Sequence, residues 1–507
     1  MSFKSALTNG LLLTLSLSST KTAWAETTKV ILGLQKQVDM AALAKSVTDP
    51  NSSRYQQFYT TEEIKKLAAP SDQDYAATLQ QLQNDGIEVV SESPSHLYVT
   101  VRGERSYFEN LDAKLSSSFQ SLVNLFSKST ITRVHGLTQG TPRRPHLKIL
   151  PDAAAATFTG LTPEQIQSAY GFDAIYNTGV SGKGQDIAIA TYDGFLIDDI
   201  TDYYTKNGIN TTRTVDQVAF NGTPKFDAMS ATETQTDAEF SGMIAPGANI
   251  HIYASADNGD AGELAMFTKI LDDGVSKIIN YSWGTCESEV TPAHRADMDQ
   301  VFARAVAQGV NVTVATGDSG SDCVQGQTTA DFPAVEPYII AVGGTTLTPS
   351  ANGYGSEAAW SGSGGGVSTI YGAADFQSSL SSPYSAHRSY PDVSFNADPA
   401  SGEPSWVHLN PKTNKKSKTA TYIVIGGTSI AAPQWAGFLA LVNEARGSAI
   451  GFLDPILYGL AENNQSDFFN DVTSGNDGAY SAAAGWDAVT GWGSMKADRL
   501  LAQLKSQ

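Results

Sequence analysis

From residue 161 onward, short apolar runs alternate with longer stretches that mix apolar and polar positions. The runs are Gln185 to Thr191, Ile250 to Tyr253, Lys277 to Ser282, Val310 to Ala315 and Tyr338 to Val342. Continuous hydrophobicity over so few residues predicts strands buried on both faces. Between them, Glu263 to Asp272 and Ala293 to Ala307 predict helices. This rhythm implies an α/β fold with a largely parallel sheet flanked by helices, whose sites lie at the carboxyl ends of strands. Residues 26–134 follow another pattern. Strand-like runs (Lys29 to Leu32, Ile87 to Val90, Leu97 to Val101) mix with a helix opened by Thr61-Glu62-Glu63-Ile64 and another over Asp74 to Gln83. A small α+β domain is expected there.

Two segments interrupt these patterns. Residues 1–25 combine Lys4, a short apolar run and Ala23-Trp24-Ala25 before Glu26, which predicts a secretory signal peptide too short for a membrane span. Residues 135–160 carry three prolines, Arg143-Arg144 and an alanine run, the composition of an exposed linker open to proteolysis. The chain thus divides into 1–25, 26–134, 135–160 and 161–507.

Charge separates the same halves. Residues 1–160 hold 16 Lys+Arg against 14 Asp+Glu, whereas 161–507 hold 17 against 38, so +2 faces −21. An acidic body argues against nucleic acid or anionic membranes as partners and suits work at low pH. Two cysteines, Cys286 and Cys323, are too few for a disulfide framework, but a secreted chain can pair them.

Candidate chemistry begins at YIVIGGTSIAAPQWAGFLALVN. Tyr422 to Ile425 reads as a buried strand and Ile430 to Glu444 as a buried helix with Pro433 in its first turn. Ser429 therefore stands at a strand-to-helix turn, where free N–H groups and the helix dipole favour a nucleophile. An ordinary N-cap serine satisfies the same pattern. None of the seven histidines has the His-Gly-Thr-His context of a subtilisin-type base. Glu233 and Asp237 instead lie four apart on a predicted helix before Ala245-Pro246-Gly247, so they share a face. Coupled carboxylates suit acid–base work, although such pairs also occur on solvated faces. Asp318 follows a predicted buried strand and a glycine, at a strand's carboxyl end or in a capping turn.

These motifs occur together with LTPEQIQSAYGF, SWG, TGDSG, FPAVEPYIIAVGGTTL, WSGSGGGVS, SYPDVSFNADPASG and GWDAVTGWGS. In that order they resemble the sedolisin family of serine-carboxyl peptidases, including its kumamolisin-like members. RYQQFYTTEEIKKLAAPSDQDYAATLQQLQNDGIEVV is similar to the family's activation domain. The resemblance implies a subtilisin-like fold and a self-processing zymogen with endopeptidase activity in acid. It makes Ser429 the nucleophile, Glu233 the general base, Asp237 its orienting partner and Asp318 a protonated oxyanion donor. It also implies one structural Ca²⁺ held by Asp471, Val472, Ala483, Gly485 and Asp487, with Ala483 where the family usually has glycine. Pairing of Cys286 with Cys323 would tie down the loop after Asp318. Expected partners are protein and peptide substrates and the chain's own prodomain, on a secreted monomer, extracellular or periplasmic. The segments Ser282-Trp283-Gly284 and Gly362 to Ser368 are the expected edges for a peptide substrate. Two other readings stand beside this one: a secreted binding protein without turnover, and a neutral enzyme with a histidine base.

Overall fold

The five apolar runs from Gln185 to Val342 all become strands of one sheet. In the computed structural model, which describes residues 26–116, 130–150, 159–209, 213–323, 326–351 and 353–507, that sheet has ten strands among the described residues. The predicted signal peptide lies outside them, as do residues 151–158 of the predicted linker. Across the sheet run Phe469–Asn470, Ser494–Met495, Val393–Asn396, Ile340–Ser350, Asn311–Ala315, Ile278–Tyr281, Asp186–Tyr192, Asn249–Ser255 and Val215–Gln217, with Gly353–Ala359 paired to Ile340–Ser350. From Val393–Asn396 to Val215–Gln217 all neighbours are parallel.

A parallel sheet must be covered on both faces, and strand Asp186–Tyr192 shows how. Ile187 and Ile189 point into the core built with helices Ala228–Ile244 and Thr428–Arg446. Ala188 and Ala190 point to the other face, under helices Asp260–Asp273 and Pro292–Ala307. The first two helices approach closely at Gly437, where a Cβ would stand 2.7 Å from the Ile244 side chain. Helix Ala228–Ile244 is buried along nearly its whole length, so Glu233 and Asp237 are not on a solvated face.

The N-terminal unit is a four-stranded antiparallel sheet in the order Glu88–Glu92, Tyr98–Glu104, Thr27–Leu34, Ile131–His135, with its own apolar core. Its helix Met40–Thr48 packs on Pro292–Ala307, and Arg133 is ion-paired with Asp297. Its second helix, Thr61–Ala68, begins where the sequence pattern places it, with Thr60 as the cap that forms the capping box with Glu63.

Two local expectations change. Tyr422 to Ile425 does not join the buried sheet. It ends the long strand Lys415–Gly426, which pairs with Glu403–Asn410 in a separate three-stranded sheet and leaves Tyr422 exposed. The following helix begins at Thr428, which moves Pro433 beyond the first turn into the helix interior.

Many carboxyls are buried without a cation. Burial pushes Glu403 up to about 8 and also raises Glu239, Glu336 and Glu357, against smaller opposing hydrogen bonds. Such groups bind protons more tightly folded than unfolded. Their stabilisation is complete below about pH 4 and is lost as pH rises, for Glu403 as it passes about 8. Calorimetry on a Ser429→Ala chain should therefore show a Tm that falls from pH 4 to pH 8; an equal or higher Tm at pH 8 refutes this.

Candidate active site

Two strand ends and two helices bring the predicted residues together. Asp318 follows strand Asn311–Ala315, Ser282 follows Ile278–Tyr281, Ser429 lies in the first turn of helix Thr428–Arg446, and Glu233 and Asp237 project from Ala228–Ile244. Ser429, Glu233 and Asp237 are fully buried. Ser282 Oγ donates to Asp237 Oδ1 at 2.6 Å and accepts from Asn280 Nδ2 at 3.1 Å, fixing the Asp237 carboxyl. Burial raises Glu233 well above the usual range and the charge of Asp237 raises it further, while the neighbouring Ser429 hydroxyl opposes the rise. Neither Glu233 oxygen closes a well-aligned hydrogen bond, and the Ser429 hydroxyl points to the Ser282 carbonyl at 3.5 Å. Burial likewise raises Asp237. Two buried carboxyls one helical turn apart cannot both ionise easily, so the pair retains a proton above the usual carboxylate range.

Asp318 has one oxygen occupied and the other free. Its Oδ1 accepts from Thr428 N–H at 2.7 Å and from Thr428 Oγ1 at 3.1 Å, leaving Oδ2 without a partner among the described residues. Burial pushes its pKa up to about 6 against the smaller pull of His146 and the Thr428 donors. Below that value its proton belongs on Oδ2, since Oδ1 already accepts from an N–H.

The cleft is filled by the chain's own predicted linker. Arg144 and Pro145 pair antiparallel with Gly284 and Trp283, and Lys148 and Ile149 pair with Gly426 and Ile425. Between them, His146 N–H donates to the Ser282 carbonyl at 3.1 Å, and the His146 carbonyl accepts from Ser429 N–H at 2.9 Å. That carbonyl oxygen and Asp318 Oδ2 both crowd the place a Gly427 Cβ would occupy, at 2.4 and 2.5 Å. Only glycine fits, and its φ of 101° is one that glycine adopts without strain. A carbonyl between a serine N–H and a neutral carboxylic acid occupies an oxyanion pocket.

The linker was expected to be exposed, and Arg143 corrects that: its guanidinium is fully buried against Glu263, because the partner carboxylate lies in the cleft wall. Of the two expected substrate edges, Ser282-Trp283-Gly284 pairs with the linker. The other does not: Gly366–Gly372 pairs with His387–Tyr390, and the second edge is Ile425-Gly426. Sequence reasoning also passed over His146 and Asp331, whose Nε2 and Oδ1 lie 3.3 Å apart. Burial alone would lower His146, but Asp331 and Asp318 outweigh it and hold the imidazole above its ordinary value. That ring faces Asp331 rather than acting on Ser429 as a base. Cys286 and Cys323 are joined in a disulfide, linking strand Trp283–Cys286 to the loop beyond Asp318.

Asp471 and Asp487 converge on one turn. Asp471 Oδ2 accepts from Gly485 N–H at 3.3 Å and Asp487 Oδ2 from Ala483 N–H at 3.0 Å. Among the described residues the carbonyls of Val472, Ala483 and Gly485 accept no hydrogen bond. Asp487 also accepts from Val489 N–H, Thr490 N–H and the Thr490 hydroxyl; carboxylate and carbonyl oxygens are the donor types that Ca²⁺ takes.

Fold and site together define a serine peptidase of the subtilase class. A model of the subtilase family matches residues 215–483, and one of the pro-kumamolisin activation domain matches residues 19–134. The chain is 36% identical over 409 residues to kumamolisin from Bacillus sp. (strain MN-32), covering 74% of this chain and 70% of that protein. It is 27% identical over 522 residues to sedolisin from Pseudomonas sp. (strain 101), covering 94% and 86%. The solved structure of Pseudomonas sedolisin, a serine-carboxyl proteinase complexed with two molecules of pseudo-iodotyrostatin, superposes with a TM-score of 0.60 at 28% identity, over 69% of this chain and 99% of that one. The chain belongs to the sedolisin family of serine-carboxyl peptidases and carries that family's activation domain.

Proposed function

We propose that the protein is a secreted endopeptidase, active in acid, that releases itself by cutting the His146–Leu147 bond. The observation that carries this reading is the His146 carbonyl held by Ser429 N–H. Ser429 Oγ attacks the carbonyl carbon while its proton passes to Glu233, whose basicity is set by the proton shared with Asp237. The oxyanion is held by Ser429 N–H and the Asp318 Oδ2 proton. Collapse breaks the C–N bond as Glu233 returns the proton to the Leu147 amine. Water then repeats the sequence on the acyl-Ser429 ester, with Glu233 again taking and returning a proton.

Internal cleavage is favoured because the bound segment runs on past both sides of the scissile bond, from Arg143 to Ile149, and continues into the N-terminal unit. Digesting an N-terminally acetylated peptide of about 20 residues at pH 4 tests this. Mass spectrometry should find internal cuts; an intact acetylated peptide beside tripeptides released from its unacetylated counterpart overturns it.

Acid also loosens the prodomain in this reading. Burial lowers His135 to about 4; Asp297 opposes that shift, while His294, Arg133 and Lys36 add to it. A docked His135 that resists protonation weakens docking as pH falls from 6.5 toward 4. Hydrogen exchange of the Ser429→Ala zymogen, corrected for intrinsic rates, should lose protection in Ile131–His135 over that window. Unchanged protection refutes the switch.

Ca²⁺ is proposed to bind Asp471 and Asp487 with the carbonyls of Val472, Ala483 and Gly485. The ion would supply a structural tie between the two segments. A chelator should lower the Tm by roughly 5 °C in the wild type. An Asp487→Ala chain should not respond; equal responses count against the site.

A further inference from the structure

The geometry points to an arginine-selective subsite four residues before the scissile bond, with Glu263 as its specificity-determining residue. This rests on the peptidase reading above and deepens it. With His146 contributing the scissile carbonyl, Pro145, Arg144 and Arg143 are the second, third and fourth residues on its N-terminal side. Arg143 N–H donates to the Asn258 carbonyl at 2.9 Å, so the backbone is anchored to the wall at this position too. Arg144 reaches Glu289 at the surface, where 45% of its side chain stays exposed, and such a pair discriminates little. Arg143 differs. Its side chain is 0% exposed, as is that of Glu263.

The pocket matches a guanidinium atom by atom. Arg143 Nε donates to Glu263 Oε1 at 3.1 Å and Nη2 to Glu263 Oε2 at 2.6 Å, a two-point contact with one planar carboxylate. Nη1 reaches Asp260 Oδ1 at 3.0 Å. His294 Nε2 lies 2.7 Å from Glu263 Oε2 and 2.8 Å from Arg143 Nη2, and Tyr281 donates its hydroxyl to Glu263 Oε1 at 2.8 Å. Tyr281 is held in turn by the Tyr192 hydroxyl at 2.8 Å. Burial alone would raise Glu263, but the Arg143 charge together with the hydrogen bonds and charge of His294 and Arg143 outweighs it and keeps the carboxylate ionised.

None of Glu263, Asp260, His294, Tyr281 and Tyr192 belongs to the activation domain, so the pocket stays with the enzyme after the prodomain leaves. Glu263 then keeps His294 and Tyr281 but loses the two-point guanidinium contact, an arrangement less favourable than the paired one. A substrate arginine at the same position restores the pair. Lysine, with a single ammonium, cannot make both bonds to Glu263. Peptides with arginine four residues before the cut are therefore the preferred class of substrate.

The test uses self-processed enzyme and peptides spanning residues 141–150, with arginine, citrulline, lysine or alanine at position 143. The value of kcat/KM should be about 100-fold higher for arginine than for alanine or citrulline, and about 10-fold higher than for lysine. In a Glu263→Gln enzyme the arginine-to-alanine ratio should collapse toward one. The citrulline comparison needs no variant and stands even if Glu263→Gln fails to fold. Cleavage of all four peptides at similar rates overturns the subsite while leaving the peptidase reading intact. No cleavage of any peptide by wild type, as with a Ser429→Ala chain, overturns the peptidase reading itself.

Discussion

Alanine at position 429 is expected to lower kcat roughly 10⁵- to 10⁶-fold and to leave the 507-residue chain unprocessed in acid. The magnitude follows from what the hydroxyl does. It forms the covalent intermediate, and no neighbouring group can take its place, since Glu233 and Asp237 are buried behind it and His146 turns its ring to Asp331. The Ser429 N–H survives the substitution, so the His146 carbonyl should still be held and the fold preserved. Steady-state hydrolysis of an internally quenched peptide, with the linker of both chains cut by an unrelated protease that is inhibited before the assay, gives the ratio. A loss below about 100-fold would remove Ser429 from the nucleophile's role.

The second large effect is at the base. Glu233→Gln should cost about 10²- to 10⁴-fold in kcat, because the amide keeps the shape but cannot take the Ser429 proton. The pH profile carries more information than the size of the loss. In the wild type, activity requires a proton on Asp318 and a vacancy for one in the Glu233–Asp237 pair. As pH rises through about 6, Asp318 ionises, stops donating and sets a negative charge beside the developing oxyanion. Activity should fall there. An Asp318→Asn enzyme, whose amide donates at any pH, should lose that alkaline limb whatever its absolute rate. Persistence of the same limb in Asp318→Asn would assign it to another group.

Much of this site could be read before the fold was known, for identifiable reasons. Glu233 and Asp237 sit one helical turn apart, Asp318 follows an apolar run and a glycine, and Ser429 follows two glycines at a strand-to-helix turn. Each is a local signal. What escaped was non-local. Arg143 looked exposed because prolines and paired arginines usually are, and only Glu263, 120 residues away, decides otherwise. His146 carried no motif, since its part is played by backbone atoms meeting Ser282 and Ser429. Asp331 was hidden at the edge of a phenylalanine-proline turn. Tyr422 to Ile425 had the composition of a core strand, but composition does not say which sheet a strand joins, and Lys415–Gly426 pairs with Glu403–Asn410 instead. The parallel sheet was the most legible part, because burial on both faces leaves an unbroken apolar run in each strand.

The central claim is that Ser429 acts on the bond that the structure lays across it. Intact-mass measurement of the purified zymogen after incubation at about pH 4, where a carboxylate base is matched to its task, addresses it directly. The account predicts a first product beginning at Leu147 in the wild type and none in Ser429→Ala. A first cut elsewhere, or the same cut in the alanine variant, would contradict it.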